Sequence, residues 1–415
     1  MIRTQIDHAR DGVLTDEMLQ IAQKEGMEEG LVLERVKNGS LVIMTRRGCP
    51  PVGIGKGAST KINVNLGTSS ASIDPDSERE KVRIAQRYGA ATITDLSMGG
   101  DISTIRKMVL DNTSLPVTTV PIYQTIVECG LEKVTADDMM EYLERHVNEG
   151  ISSILLHCVE KRMLDKLRGS SRVMGMVSKG GSFTSSFMLI NDCENPFIER
   201  FDEIIDILRE NDVVLSLGNT MRSGCVHDLK DSAQLMEIET NASLARKANE
   251  MGVQAIINGM GGHIQASDIS GSVRLYKEKA DFPLFVAGPL PTDIAVGYDH
   301  IAGAVGASIA SGAGADYLCY ITPAEHLSLP DPQQVKEGLI AFRIAAHIGD
   351  SMKYGLNEND LVLATKRASF DWKGQAEIAI DPERSSKMCP EEGPCSMCGD
   401  YCAINIMKEY LFEDK

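Results

Sequence analysis

From about residue 78 the chain repeats one pattern, and that pattern limits the fold more than any other feature. Short apolar runs alternate with amphipathic stretches. The runs are ATITDLS (91–97), PVTTVP (116–121), ISSILLH (151–157) and VMGMVS (173–178), then VVLSLG (213–218), QAIING (254–259), PLFVAG (283–288) and YLCYIT (317–322). The stretches between them read as helices. FIERFDEIIDILREN puts Phe201, Ile204, Ile205 and Leu208 on one face at helical spacing. TADDMMEYLERHVNEG opens on Thr135 with Asp138 three residues later, a capping-box start, and closes at Gly150. Eight strands alternating with helices are the count of a (β/α)8 TIM barrel, an α/β fold. A doubly wound open sheet is the alternative. It would carry a Gly-rich phosphate turn after its first strand, and DLSMGGD lacks that pattern.

Around this core the sequence predicts a small N-terminal α+β domain over 1–77, the barrel over 78–331 and a helical C-terminal segment over 332–415. In the first part, TDEMLQIAQKEG (15–26) reads as a helix capped by Thr15, and GSLVIM (39–44) as a strand. A Gly-rich loop (53–60) and the strand-like KINVNLG (61–67) follow. In the last part, a long helical stretch begins near residue 331, and AINIMKEYLF reads as a short helix.

Composition narrows the function. A net charge of −17 argues against nucleic-acid binding, which needs a basic surface. No run approaches the ~20 apolar residues of a membrane span, and the N-terminus has no apolar export signal. Six of the ten cysteines, Cys49, Cys129, Cys158, Cys193, Cys225 and Cys319, are scattered singly. Such cysteines fit reduced, buried thiols and a cytoplasmic protein.

Catalytic groups of such barrels sit at the C-terminal strand ends. Here those ends carry Asp95 and Ser97, Tyr123, His157, SKGG (178–181), GNTMR (218–222), NGMGGH (258–263), GPLPTD (288–293) and TPAEH (322–326). Gly, Ser and Asn are common loop residues, so one such end means little. Eight ends that include His157, His263, His326, Lys179 and Arg222 point to a site. SKGG offers successive amides, a hydroxyl and an ammonium, which suit a phosphate; a flexible loop with a solvated lysine accounts for the same residues. His263 and His326 could share a divalent ion such as zinc.

The tail holds the densest signal. Cys395, Cys398 and Cys402 are spaced C-x2-C-x3-C, with Cys389 six residues upstream. A structural zinc site needs four ligands, so Cys389 completes a zinc knuckle in one reading. In the other, three thiolates leave one iron of a 4Fe–4S cluster open to S-adenosylmethionine, in reverse of the usual C-x3-C-x2-C radical spacing.

With these residues in view, the chain resembles phosphomethylpyrimidine synthase, the noncanonical radical S-adenosylmethionine enzyme of thiamin synthesis. TQIDHARDGVLTDEM, KINVNLGTS, VPIYQ, VSKGGS, AGPLPTDIAVGYDHI, YITPAEHLSLP, VKEGLIAFRIAAH and CSMCG carry the resemblance nearly end to end. It implies a homodimer, an electron donor such as flavodoxin or ferredoxin, and 5-aminoimidazole ribonucleotide as substrate. It implies that Asn65, Tyr123, His157, Ser178, Lys179, Gly180 and Arg222 line the substrate pocket. It assigns a divalent metal, zinc above others, to His263 and His326, and the 4Fe–4S cluster to Cys395, Cys398 and Cys402. The chain also departs from the thiamin pattern. Thr94 replaces a methionine, Asn219 and Asn258 replace acids, one residue is inserted before His263, Phe285 replaces an aromatic hydroxyl, and the cysteine spacing is one residue shorter. Loss of two carboxylates and a phenol, with the cluster, metal and phosphate features kept, favours a sister family, the anaerobic 5-hydroxybenzimidazole synthases. These make the benzimidazole of the vitamin B12 (cobamide) lower ligand from the same ribonucleotide. A thiamin enzyme is the second reading, and a non-catalytic zinc-binding barrel the third.

Overall fold

The structure is a computed structural model and describes residues 3–228 and 230–411. It divides into two compact units, one ending at Lys353 and one beginning at Tyr354.

The first unit opens with three helices, α1 (Gln5–Arg10), α2 (Asp16–Glu25) and α3 (Glu29–Asn38). Thr15 caps α2 by accepting from Met18 N, and Gly26 ends it in the left-handed conformation, as the sequence predicts. An antiparallel hairpin follows, β1 (Leu41–Met44) and β2 (Val52–Gly55). Then come β3 (Lys61–Leu66), β4 (Thr92–Asp95), β5 (Val117–Thr119), β6 (Ser153–Leu156), β7 (Val214–Leu217), β8 (Ala255–Asn258), β9 (Leu284–Ala287) and β10 (Tyr317–Cys319). These eight pair in parallel in chain order, and β10 closes onto β3 through Tyr317 opposite Lys61. The fold is a (β/α)8 barrel.

The strand count matches the sequence reading, but one member differs. KINVNLG is the first barrel strand, so the barrel begins upstream of residue 78. VMGMVS forms no strand. Val173 and Met174 are exposed, and the segment runs as a loop pinned by Asp228, which accepts from both their amides. A short apolar run does not by itself separate a strand from a loop that packs only its later residues. The helices behave as read. Thr135 and Asp138 form a full capping box, and Phe201, Ile204, Ile205 and Leu208 are all buried. Each such side chain contributes about 1.5–3 kcal/mol by leaving water.

The hairpin closes the barrel at the N-terminal ends of its strands. Val42, Met44, Val52 and Ile54 pack against Val214, Ile256 and Tyr317. Gln254 pairs with the backbone of Ile43 as a strand would, accepting from its N–H at 2.7 Å and donating to its carbonyl at 3.0 Å. A buried ion pair, Lys61 to Glu25 at 2.9 Å, ties α2 to the start of β3. Its geometry supports register more than stability, because burying both charges costs most of what their attraction returns.

The second unit is helical: Glu358–Ala368, Trp372–Ile378, Pro382–Met388 and Ala403–Leu411. The AINIMKEYLF helix is present up to Leu411; Phe412 lies outside the described residues. Among the described residues, no helix of either unit is long and apolar enough to cross a membrane.

Candidate active site

Side chains alternate along a strand, so every second residue of a barrel strand faces the interior. Asn65, Thr94, Thr118, Ser153, Ser216, Asn258, Phe285, Tyr317 and Cys319 thereby line one pocket. The segments after the strands add Tyr123, His157, Ser178, Asn219 and Arg222. Nearly all the expected substrate residues therefore meet in one chamber. Lys179 and Gly180 lie beside it. The Lys179 ammonium is 5.6 Å from the Tyr123 ring centroid. Gly180 backs directly onto His157, where a Cβ would approach the ring to 2.3 Å. Gly218 crowds the same ring from another side, so neither position accepts a larger residue while His157 stays in place.

The chamber holds one cation and, among the described residues, no carboxylate on its wall. Arg222 donates to the carbonyls of Asn219 and Val177, which leave its charge uncancelled. Ser178 caps the helix Lys179–Asn191 by accepting from Gly181 N at 3.2 Å. A helix N-terminus and a guanidinium facing one pocket suit an anion such as a phosphate. Burial, then the nearby Arg222 charge, push the His157 imidazole down to about 3, so it is neutral at physiological pH. Its Nδ1 has no partner among the described residues, nor has either polar atom of the Asn219 side chain. Buried polar atoms left unpaired in a pocket are free to meet a ligand. Burial raises the Tyr123 phenol to about 12 against the opposing pull of Arg222 and the Gly180 amide, so it is a hydrogen-bonding group and not an anion. Asn258 is fixed, donating to Ser216 Oγ at 2.7 Å and to Leu217 O at 2.9 Å. Asn65 donates to Cys319 Sγ at 3.0 Å. Phe285 packs against Tyr317 at a tilt of 49°, with ring centroids 4.4 Å apart.

Three side chains missed in the sequence hold the 218–222 turn. Glu237, 2% exposed, accepts from Thr220 N at 2.6 Å and Met221 N at 2.9 Å. Burial lifts its carboxyl to about 7 in spite of these amides. Asn241 donates to Gly218 O, and Arg172 to Met221 O and Arg222 O while paired with Asp231. No local motif announces such clamps: Glu237 and Asn241 lie one turn apart on the helix Ser232–Glu250, Arg172 comes from a loop, and only the tertiary packing brings them to the turn. Ser153, Ser216 and Cys319 were also missed, although period-2 alternation back from the strand ends places them on the inner face.

A second cleft shares Asn65, Arg222, Ala287 and Cys319 with the chamber and is lined further by His263 and His326. Their Nε2 atoms face each other at 3.3 Å. Asp293 sits on His263 Nδ1 at 2.5 Å, and Asp299 lies 3.9 Å from His326 Nδ1. The Asp293 carboxylate fixes the N–H of His263 on Nδ1 and turns its Nε2 lone pair forward, whereas Asp299 is beyond hydrogen-bond reach of His326. Two imidazole Nε2 atoms that converge at 3.3 Å are a pair of nitrogen donors that fits a divalent metal. His326 also holds a left-handed backbone, φ 62°, of the kind that collects at functional sites. In the second unit, Cys395, Cys398 and Cys402 share one tight turn, closed by Gly399 N to Cys395 O at 2.9 Å and Tyr401 N to Cys398 O at 3.0 Å. Their donor set fits an iron–sulfur cluster. Among the described residues no three His, Cys, Asp or Glu side chains are already gathered as a metal site. Cys389 donates to Trp372 O at 3.8 Å.

The sequence matches the Radical SAM ThiC family over residues 4–409. The chain belongs to that family. Its relatives include phosphomethylpyrimidine synthase of Dehalococcoides mccartyi strain BAV1, 44% identical over 98% of each chain. The enzymes of that name from Thermoanaerobacter sp. strain X514 and Syntrophus aciditrophicus are 42% and 41% identical, again over 98% of this chain. Among solved structures, a dihydropteroate synthase from Thermus thermophilus aligns with 75% of this chain and 99% of its own, at 11% identity and a TM-score of 0.42. The barrel assignment rests on this chain's own strand pairings.

Proposed function

We propose that this ThiC-family chain starts radical chemistry on 5-aminoimidazole ribonucleotide and carries it to 5-hydroxybenzimidazole. The observation that carries the product is the acid-free wall of the chamber. Asn219 and Asn258 stand where the thiamin pattern has carboxylates, and Phe285 where it has a phenol. An amide cannot act as a general base at neutral pH, so proton transfers available to the thiamin enzymes are lost while the binding frame stays. Arg222 and the Ser178-capped helix start would hold the phosphate; Tyr123, His157 and Asn65 would frame the ribose and base. Cys395, Cys398 and Cys402 would hold a 4Fe–4S cluster, with a divalent ion, zinc first, at His263 and His326. The cluster and S-adenosylmethionine would supply the initiating radical, with flavodoxin or ferredoxin as the electron source and a homodimer as the working form. This chain's part is to orient the ribonucleotide and exclude water.

The relatives' names support a second reading, phosphomethylpyrimidine synthase, and on likeness alone that reading is the better supported. One experiment separates them. Anaerobic protein with reconstituted cluster, given the ribonucleotide, S-adenosylmethionine and a low-potential reductant, is followed by mass spectrometry. 5-Hydroxybenzimidazole with 5′-deoxyadenosine is the expected outcome. Hydroxymethylpyrimidine phosphate would establish the thiamin reading, and a full cluster with no 5′-deoxyadenosine would overturn both.

A further inference from the structure

Met44 ends β1, outside the eight barrel strands, yet it lines the same chamber as Asn219 and Arg222 and is only 1% exposed. It arrives through the barrel's closed end with Val42, Val52 and Ile54. The wall beside it has two levels. Phe285 and Tyr317 precede Ala287 and Cys319 by two residues on the same strands, and Ser153 precedes His157 by four. Strand alternation keeps each pair on the inner face and sets the earlier residue deeper. The upper level carries Arg222 and the capped helix start. The lower level is Met44, Phe285 and Tyr317, with Asn258 paired beside Phe285, Thr118 beside Ser153, and a Ser153 hydroxyl that has no partner among the described residues.

An anionic ribonucleotide whose phosphate meets Arg222 points its uncharged heterocycle at the lower level. We infer that Met44 is a specificity-determining residue: its thioether forms the floor beneath the heterocycle and sets the ring size the chamber accepts. An unbranched, polarisable side chain suits contact with a flat ring. The N-terminal segment is thus part of the substrate site and not only a brace. This inference rests on the proposed substrate.

The test is anaerobic titration calorimetry with 5-aminoimidazole ribonucleotide and with an analogue bearing one extra methyl group on the imidazole. The proteins are wild type, Met44→Ala and the milder Met44→Val, each checked by circular dichroism for native fold. Wild type should prefer the natural ligand by about 10- to 200-fold, the range for one misplaced methyl. Met44→Ala should cut that preference at least tenfold, and Met44→Val by less. If Met44→Ala does not fold, the Met44→Val result decides. A folded variant with the wild-type preference overturns the floor assignment alone. A wild type that binds no ribonucleotide overturns the substrate assignment and this inference with it.

Discussion

The barrel chamber and the cysteine turn are held in opposite ways. In the chamber, each functional segment is fixed by partners remote in sequence: Glu237 and Asn241 on the 218–222 turn, Asn195 on the His157 carbonyl, Gly180 and Gly218 on the His157 ring. The cysteine turn closes on bonds between residues three or four apart. Three helices of its unit, Glu358–Ala368, Pro382–Met388 and Ala403–Leu411, bury no residue. The first region is organised before any ligand arrives. The second is held mainly by short-range bonds, as segments whose folding is coupled to a metal are.

The largest expected effect breaks the second region without touching the first. Cys395→Ala, Cys398→Ala and Cys402→Ala should each abolish cluster iron and S-adenosylmethionine cleavage while barrel melting stays unchanged. Cys389→Ala should keep both activities, and iron analysis with product chromatography checks all four variants. Next, His263→Ala or His326→Ala should each strip the non-cluster metal from the purified protein, read by elemental analysis, with cluster iron retained. Unchanged metal in both would make them ordinary loop histidines. Arg222→Met should weaken ribonucleotide binding by about 100-fold, the loss of charge-assisted bonds, and calorimetry measures it.

The smallest effect sharpens the idea of remote clamping. Glu237→Gln puts an amide N–H2 against one of two backbone N–H donors, so the turn should loosen and affinity fall by about tenfold. The pH dependence has a definite sign. The folded carboxyl, at about 7, holds its proton more tightly than the ordinary value of 4.5. Its contribution to stability therefore falls as pH rises from 4.5 to 7 and is flat above, over a range of roughly 3 kcal/mol. Denaturant unfolding across that window should show a steeper slope in wild type than in Glu237→Gln, in which Asp212, also lifted to about 7 by burial, still titrates.

Much of the chamber could be read from the chain because strand ends and period-2 alternation are local signals. His157, Asn219 and Arg222 sit where the pattern puts them. The sequence places Lys61–Leu66 before the barrel because it precedes the regular rhythm, and its position beside β10 is a closure relation no local window contains. Val173 and Met174 imitated a strand by composition alone. Glu237 and Met44 were invisible for a common reason: their roles depend on which surface a distant segment packs against. The cysteine spacing is a local signal within eight residues, and by itself it leaves a zinc knuckle with Cys389 and a three-thiolate cluster site both open.

The stitch between Gln254 and Ile43 joins residues 211 positions apart, and the hairpin it anchors also rests on Ile256 and Tyr317. On the ribosome, the segment that emerges early can seat only after β8 and β10 have been made. Loop closure over such separations is slow, and unsatisfied apolar faces stay exposed meanwhile. Leu41 and Ile43 can pack at once on the N-terminal helices and β1 can pair with β2, so the face left waiting is the other one, Val42, Met44, Val52 and Ile54, until the last strand closes the barrel.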